Sequence, residues 1–240
     1  MENLYKSVMK TFNRTILMLA MIALPALCFA QAEVCKVTFT GSQPTIKDFA
    51  KAYCSQFDQG SFERQALAAF SKGTYQARVM GGCDCCVVDS KNGYVGFTAL
   101  KYGTDGTINQ ETLEMCYWNC DNKNEKLVAI NHIDSSMGFY ESILFFYRYN
   151  VKTKKMKLIE APFDREPNAI DLVDQDKADK ATIDLVLNSR NEDANKFQPS
   201  FSLPRTGKDI TYRMADENAI PKAFQREGKL MWDGSSFCHD

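Results

Sequence analysis

Two segments of this chain share one plan: LEMCYWNCDNKNEKLVAINHI (113–133) and ILFFYRYNVKTKKMKLIEAPF (143–163). Each runs from an alternating aromatic stretch, through a Lys-rich polar turn, into a second apolar stretch. Alternation at period two is the signature of a half-buried strand, so each segment predicts an antiparallel hairpin. At an offset of 29 residues Trp118 falls on Tyr147, Cys120 on Tyr149, Asp121 on Asn150, Lys123 on Lys152, Lys126 on Lys155 and Ile130 on Ile159. Successive hairpins of a meander or copies in a propeller-like array would give such a match. Any two antiparallel hairpins also look alike at this level, and two copies are too few for a full propeller.

The flanking sequence extends the strand pattern on both sides. CCVVDS and YVGFTAL bracket SKNG, whose Asn92-Gly93 pair is a strong hairpin-turn signal. Downstream, TIDLVLN, FQPSFSLP and DITYRM read as strands, and KLMWDGSSFC reads as two short strands joined by a two-residue turn at Asp233-Gly234. Residues 164–181 are polar and acid-rich, a loop with room for one helical turn. Upstream the period is helical. Ile46, Phe49, Ala50 and Tyr53 or Cys54 fall on one helix face behind Ser42 or Thr45 as N-cap, with Pro44 in the first turn. Phe62, Ala66, Leu67 and Phe70 form a second helix face behind Ser61, and Lys72-Gly73 closes it. VCKVTFTG precedes both as a short strand. The expected fold class is α+β, mainly β: short N-terminal helices (about 42–72) followed by an antiparallel β-sheet or meander of hairpins.

Residues 1–30 follow a different logic. Lys6, Lys10 and Arg14 precede an apolar run from Ile16 to Ala30 that is too short for a convincing membrane span. Basic segment, apolar run and small residues at its end are the parts of a secretory signal, with cleavage expected after Ala30. That leaves 31–240 as a single β-rich domain, exported to the periplasm or outside the cell, without a transmembrane span. Cys28 raises lipid attachment as an alternative anchor. Leu27 stands before it where that processing wants a small residue, which argues against lipidation. Residues 31–240 hold 26 basic and 29 acidic side chains. A balance so near neutrality gives no electrostatic footprint for nucleic acid.

Eight cysteines remain: Cys35, Cys54, Cys83, Cys85, Cys86, Cys116, Cys120 and Cys238. An even number in an exported chain makes all eight disulfide candidates, and eight cysteines allow 105 connectivities. On a strand Cys83 and Cys85 share a face and Cys86 takes the other. Neighbours two apart lie about 6.5–7 Å from Cα to Cα, at the limit for a disulfide. Cys116, Trp118 and Cys120 share a face, but Cys116 and Cys120 are about 13 Å apart and cannot bond. Partners distant in sequence are therefore expected, with one member of the cluster left as the first place to look for chemistry. An alternative is a metal centre for zinc or copper, or a thiol-active site, drawing on Cys83, Cys85, Cys86, Cys116, Cys120 and His132. It lacks the paired Cys-x-x-Cys spacing of a zinc ribbon. The formal Cys83–Cys86 spacing is followed by strand residues rather than the helix that activates a thioredoxin-type thiol.

No Gly-x-Ser-x-Gly, His-Glu-x-x-His or phosphate-loop motif occurs, so no catalytic residue is assigned and an exported hydrolase ranks third. In SSMGFYESILFFYRYN, alternation sends Phe145, Tyr147 and Tyr149 to one face and Phe146 and Arg148 to the other. One face must be core. The second, with Tyr140, Phe146 and Arg148, is a candidate binding surface for a protein, peptide or glycan unless the sheet is packed on both sides. The signal-like start, the Lys-rich aromatic hairpins and the closing LMWDGSSF resemble uncharacterised exported proteins of Bacteroidetes bacteria. The resemblance covers the C-terminal half and implies no activity. The expected function is a disulfide-stapled, non-enzymatic binding or interaction protein that needs no cofactor.

Overall fold

Strand pairing follows the alternation read from the sequence. In the computed structural model, residues 33–79, 82–102, 107–136, 139–189 and 195–240 are described; the signal-like segment lies outside them. The element order is β1 (Val34–Lys36), α1 (Ile46–Cys54), α2 (Phe62–Lys72), β2 (Tyr75–Val79), β3 (Gly82–Asp89), β4 (Tyr94–Tyr102), β5 (Ile108–Asn119), β6 (Glu125–Ser136), β7 (Phe139–Asn150), β8 (Lys155–Ile159), α3 (Lys180–Asn188), β9 (Pro199–Ser202), β10 (Ile210–Met214), β11 (Gly228–Trp232) and β12 (Phe237–His239). Short 3-10 turns occupy Ala169–Leu172 and Lys222–Phe224. The strands form an eight-stranded antiparallel sheet, ordered β1-β8-β7-β6-β5-β4-β3-β2, and a four-stranded sheet, β12-β11-β10-β9. The fold is α+β and mainly β. No helix among the described residues is long and apolar enough to cross a membrane.

The large sheet is buried on both faces, each by a different cover. On one face lie α1 and α2. Thr45 caps α1, its N–H and hydroxyl both donating to Asp48 at 2.8 Å. Ser61 caps α2 by accepting from Arg64 N–H at 3.2 Å, and Gly73 ends it with φ 102°. Ile46, Phe49, Ala50, Tyr53 and Cys54 are buried along α1. Phe49 meets Tyr117 and Tyr149 edge-on at 5.4 and 5.1 Å, and Tyr53 meets Tyr147 at 6.1 Å. The other face lies under the small sheet. Cys116, Trp118, Leu127, Ala129 and Phe146 share a core with Tyr212, Leu230, Trp232 and Phe237.

The two aromatic hairpins are β5–β6 and β7–β8, successive parts of one meander. They are not equivalent units. The 29-residue offset is odd, so it maps Trp118, which packs on Trp232 and Phe237 of the small sheet, onto Tyr147, which packs on Tyr53 of α1. A one-residue change of parity moves a side chain to the opposite face.

Three expectations need correction. TIDLVLN is helical: Asp179 caps α3 by accepting from Thr182 N–H at 2.8 Å, and this local start outweighs the β-branched composition. Only Val186 is buried along that helix. The C-terminal hairpin turns through four residues rather than two, because Trp232 pairs with Phe237. The Asp233 carboxylate gathers the Ser235 and Ser236 N–H groups at 2.7 and 2.8 Å, which holds its pKa down at about 2. Gly234 in this loop has φ 113°, and a Cβ there would fall 2.4 Å from Asp121 Oδ1. The third correction concerns Phe146. It is 1 % exposed and meets Phe163 edge-on at 5.4 Å, so it belongs to the inter-sheet core and not to a binding surface. Both sides of β7 are covered, which accounts for aromatics on both.

A polar network crosses that same core. Glu114 accepts from the Tyr94 hydroxyl (2.8 Å), Asn131 Nδ2 (3.1 Å) and the Leu203 backbone N–H (3.1 Å). Asn131 also donates to the Phe201 carbonyl at 2.8 Å, while its own Oδ1 is buried with no partner among the described residues. Glu114 is half-buried as a residue, and burial of its carboxyl raises the pKa against the pull of three donors. Beside this network, Trp118 Nε1 donates to the Lys208 carbonyl at 2.7 Å.

Two stability predictions follow from this packing. Phe146→Ala should cost about 3–5 kcal/mol, whereas Arg148→Ala, a half-exposed partner of Glu125 at 3.4 Å, should cost under about 1 kcal/mol. Urea midpoints at constant slope measure both, and equal losses would place Phe146 outside the core. For Glu114, the folded chain keeps a proton that the unfolded chain gives up. Stability should therefore fall as pH rises from about 4.3, the ordinary glutamate value, through the raised folded value. Glu114→Gln keeps an acceptor for Asn131 and Leu203 and donates to Tyr94, so it should flatten that slope. Glu114→Ala should cost about 1–3 kcal/mol by orphaning buried donors. An unchanged slope in Glu114→Gln would show that Glu114 is ionised throughout.

Candidate functional site

The strand β3 sorts the GGCDCC cluster by parity. Cys86 pairs with Phe97 and is fully buried toward the helices. Cys85 pairs with Thr98 on the opposite face, where Cys83 lies two residues along the same strand. Cys116 and Trp118 line that same face, with Cys120 packed against it. They lie farther along the sheet, because Cys116 pairs with Tyr94 whereas Thr112 is the residue level with Thr98 and Cys85. Cys35 and Cys54 are buried on the helical side, Cys35 on β1 beside Met156 and Cys54 at the end of α1. Cys238 pairs with Met231 on β12. All eight carry free thiols. Burial is the first cause of a raised pKa at Cys35 and Cys86, both pushed to about 11, and of the rise at Cys54, Cys116 and Cys120.

The six residues of the metal alternative are not brought together. Cys83, Cys85, Cys116 and Cys120 face the small sheet, while Cys86 and His132 face the helices. No group of three or more His, Cys, Asp or Glu side chains placed to hold a metal occurs among the described residues. His132 lies between Glu63, 3.5 Å from Nε2, and Glu111, 3.9 Å from Nδ1, with Phe62 edge-on to its ring at 5.5 Å. The carboxylates approach different nitrogens, so they bracket the ring instead of converging on one point. His239 repeats the arrangement with Asp164 at 2.8 Å and Asp171 at 3.9 Å, Asp171 being held by a two-bond contact from Arg165 at 2.7 and 2.8 Å. His239 is held by its 2.8 Å contact with Asp164, whereas His132 has only the two longer carboxylate approaches. Ser135, close to His132 in sequence, instead donates to the Gln110 carbonyl at 3.1 Å.

Of the proposed surface residues, Phe146 is core. Tyr140 stacks under the Arg213 guanidinium at 4.6 Å, and Arg148 pairs with Glu125.

A concavity lies where the C-terminal turns of α2 cross the outer ends of β2, β3 and β4. It is an open groove of about 450 Å3 with Ala68, Ala69, Phe97 and Ala99 in its walls. Gln65, Lys72, Tyr75, Asp84 and Tyr102 supply its polar groups. The Tyr75 hydroxyl donates to Asp84 Oδ1 at 3.2 Å; burial, then the Asp84 charge, push that phenol up to about 12. Tyr102 is 67 % exposed, a large ring left open at the rim. Sequence reading missed this groove because its residues come from four separate elements. The visible trace was only a pair of tyrosines at the ends of alternating stretches. The Glu114–Asn131 pair left a clearer trace, as polar residues on the Cys116–Trp118 face of otherwise apolar strands.

No family model and no curated protein matches the chain. Among solved structures it is similar to a domain of an uncharacterized protein from Porphyromonas gingivalis W83, with 12 % identity, a TM-score of 0.47, and coverage of 74 % of this chain and 87 % of that one.

Proposed function

We propose that this is an exported, non-enzymatic binding protein, acting in the periplasm or outside the cell, whose ligand seat is the α2/β2–β4 groove. The observation that carries this reading is one concavity lined by two tyrosines, a carboxylate, an amide and an ammonium group. Binding sites favour concave, partly apolar surfaces in which a few polar groups fix orientation. Tyrosine offers a flat apolar face together with a polar tip. Sugar rings present complementary surfaces, with apolar C–H faces and hydroxyls around the edge, so the ligand class favoured is a glycan segment. Tyr102 and Tyr75 would stack on ring faces, while Asp84, Gln65 and Lys72 would take the hydroxyls. Export rests on the basic and apolar pattern of residues 1–30.

Glycan-array screening of the full mature chain, followed by calorimetry on any bound glycan, tests this reading. Tyr102→Ala should weaken binding by about tenfold or more and leave thermal stability nearly unchanged, because the ring is exposed. Ala68→Trp, placed to fill the groove, should abolish binding. A retained glycan that is indifferent to both variants would move the site elsewhere. The export claim has its own measurement: the N-terminus of the secreted protein, read by mass spectrometry, should be Gln31, and an intact Met1 on exported material would overturn it.

A further inference from the structure

We propose that Cys83 and Cys85 form a reversible redox pair that closes to a disulfide by exchange with a small external disulfide. The inference does not depend on the groove, which lies on the opposite face of β3. Along the face carrying these thiols every second residue from Cys83 to Asp89 is only partly buried. Asp89 is engaged by Arg205 at 3.2 Å, Val87 packs against the inter-sheet core, and Cys85 and Cys83 follow, both only partly buried. The two thiols stand on one face of β3, two residues apart, near enough to influence each other's ionisation, and Thr98 is the cross-strand neighbour of Cys85. Thr98 is in turn fixed by the Thr112 hydroxyl at 2.9 Å, and the Cys83 backbone N–H donates to Gln110 Oε1 at 3.3 Å.

Neither Cys86 nor Cys116 competes for the pair. Cys86 is fully buried on the other face. Cys116 lies four residues along β5 from Thr112, the residue level with Cys85, which is about 13 Å of strand. Residues two apart on a strand have Cα atoms about 6.5–7 Å apart, at the upper edge of disulfide geometry. A bond at that limit is strained, and strained disulfides have more oxidising potentials and are labile. The placement thus favours a bond that forms and reopens, unlike a permanent staple.

The chemistry balances with a disulfide R–S–S–R as oxidant. Attack begins at Cys83, which stands nearer the outer end of β3 than Cys85, while burial opposes ionisation of the Cys85 thiol. The Cys83 thiolate bonds to one sulfur of R–S–S–R, and the other leaves as R–S⁻ and takes up a proton. Cys85 then gives its proton to solvent and attacks the Cys83 sulfur, expelling the second R–S⁻, which is also protonated. Two protein thiols are oxidised, one external disulfide is reduced to two thiols, and two electrons pass.

The full mature chain should be equilibrated in glutathione buffers of graded ratio, its free thiols alkylated, and its peptides read by mass spectrometry. Cys83 and Cys85 should convert together to an internal disulfide and return on reduction, following the buffer ratio by mass action. Cys85→Ser should trap a glutathione adduct at Cys83, and Cys83→Ser should react at Cys85 about tenfold or more slowly. The proposal is overturned if the wild-type pair stays reduced in excess oxidised glutathione. Bonding of either thiol to Cys35, Cys116, Cys120 or Cys238 overturns it as well, as does a Cys85→Ser protein that takes up no adduct at Cys83. The wild-type measurement stands without the variants, so a misfolded variant does not rescue the idea.

Discussion

The two sheets are tied in register by side-chain-to-backbone hydrogen bonds grouped around one buried carboxyl. Glu114 projects from the middle of β5 into an otherwise apolar layer and accepts a backbone N–H from the segment that follows β9, while Asn131 on the next strand reaches a β9 carbonyl. Hydrophobic burial alone is indifferent to small slides of one layer over another, since it scales with area and has no direction. Hydrogen bonds from side chains of one sheet to the backbone of the other allow a single alignment. The cost is a desolvated carboxyl whose protonation state is tied to folding, together with an amide oxygen left unmatched. Removing either partner would therefore disturb more than its own contact.

Burial on both faces also explains how the cysteines are distributed. A one-sided sheet would leave half of its alternating positions wet. Here both sets are dry over the centre, and thiols placed there are inert, their ionisation opposed by desolvation. Exposure returns toward the outer edge at β2–β4, where Tyr102 is left open. The groove and the Cys83–Cys85 pair are both found at this margin, on opposite sides of one strand. The centre of the sheet supplies rigidity, and its margin supplies access.

Much of the architecture was legible in the residues. Period-two alternation in β3 to β8, the Ser61 and Thr45 caps and the Asn92-Gly93 turn are local signals, and each appears where it was expected. The parity of Cys83, Cys85 and Cys86 was equally legible, because strand geometry fixes it without knowledge of the neighbours. What escaped was whatever a second layer decides. Phe146 reads as surface or core depending on a cover contributed some 60–90 residues later. TIDLVLN reads as a strand until Asp179 is recognised as a cap. The groove has no local signature, since α2, β2, β3 and β4 meet only after the sheet has formed.

The aromatic cluster around Phe237 carries a consequence for the order of assembly. That ring touches Trp118, Phe146, Phe163 and Trp232, yet it belongs to the last strand in chain order. A ribosome delivers the meander first, with one broad apolar face waiting for a partner that has not been synthesised. Contacts spanning more than a hundred residues are slow to form, and faces that wait for them are prone to wrong partners. Early helices α1 and α2 can shield their side at once, so the vulnerable interval concerns the other side alone. It closes only when the final hairpin folds back over β5 and β7.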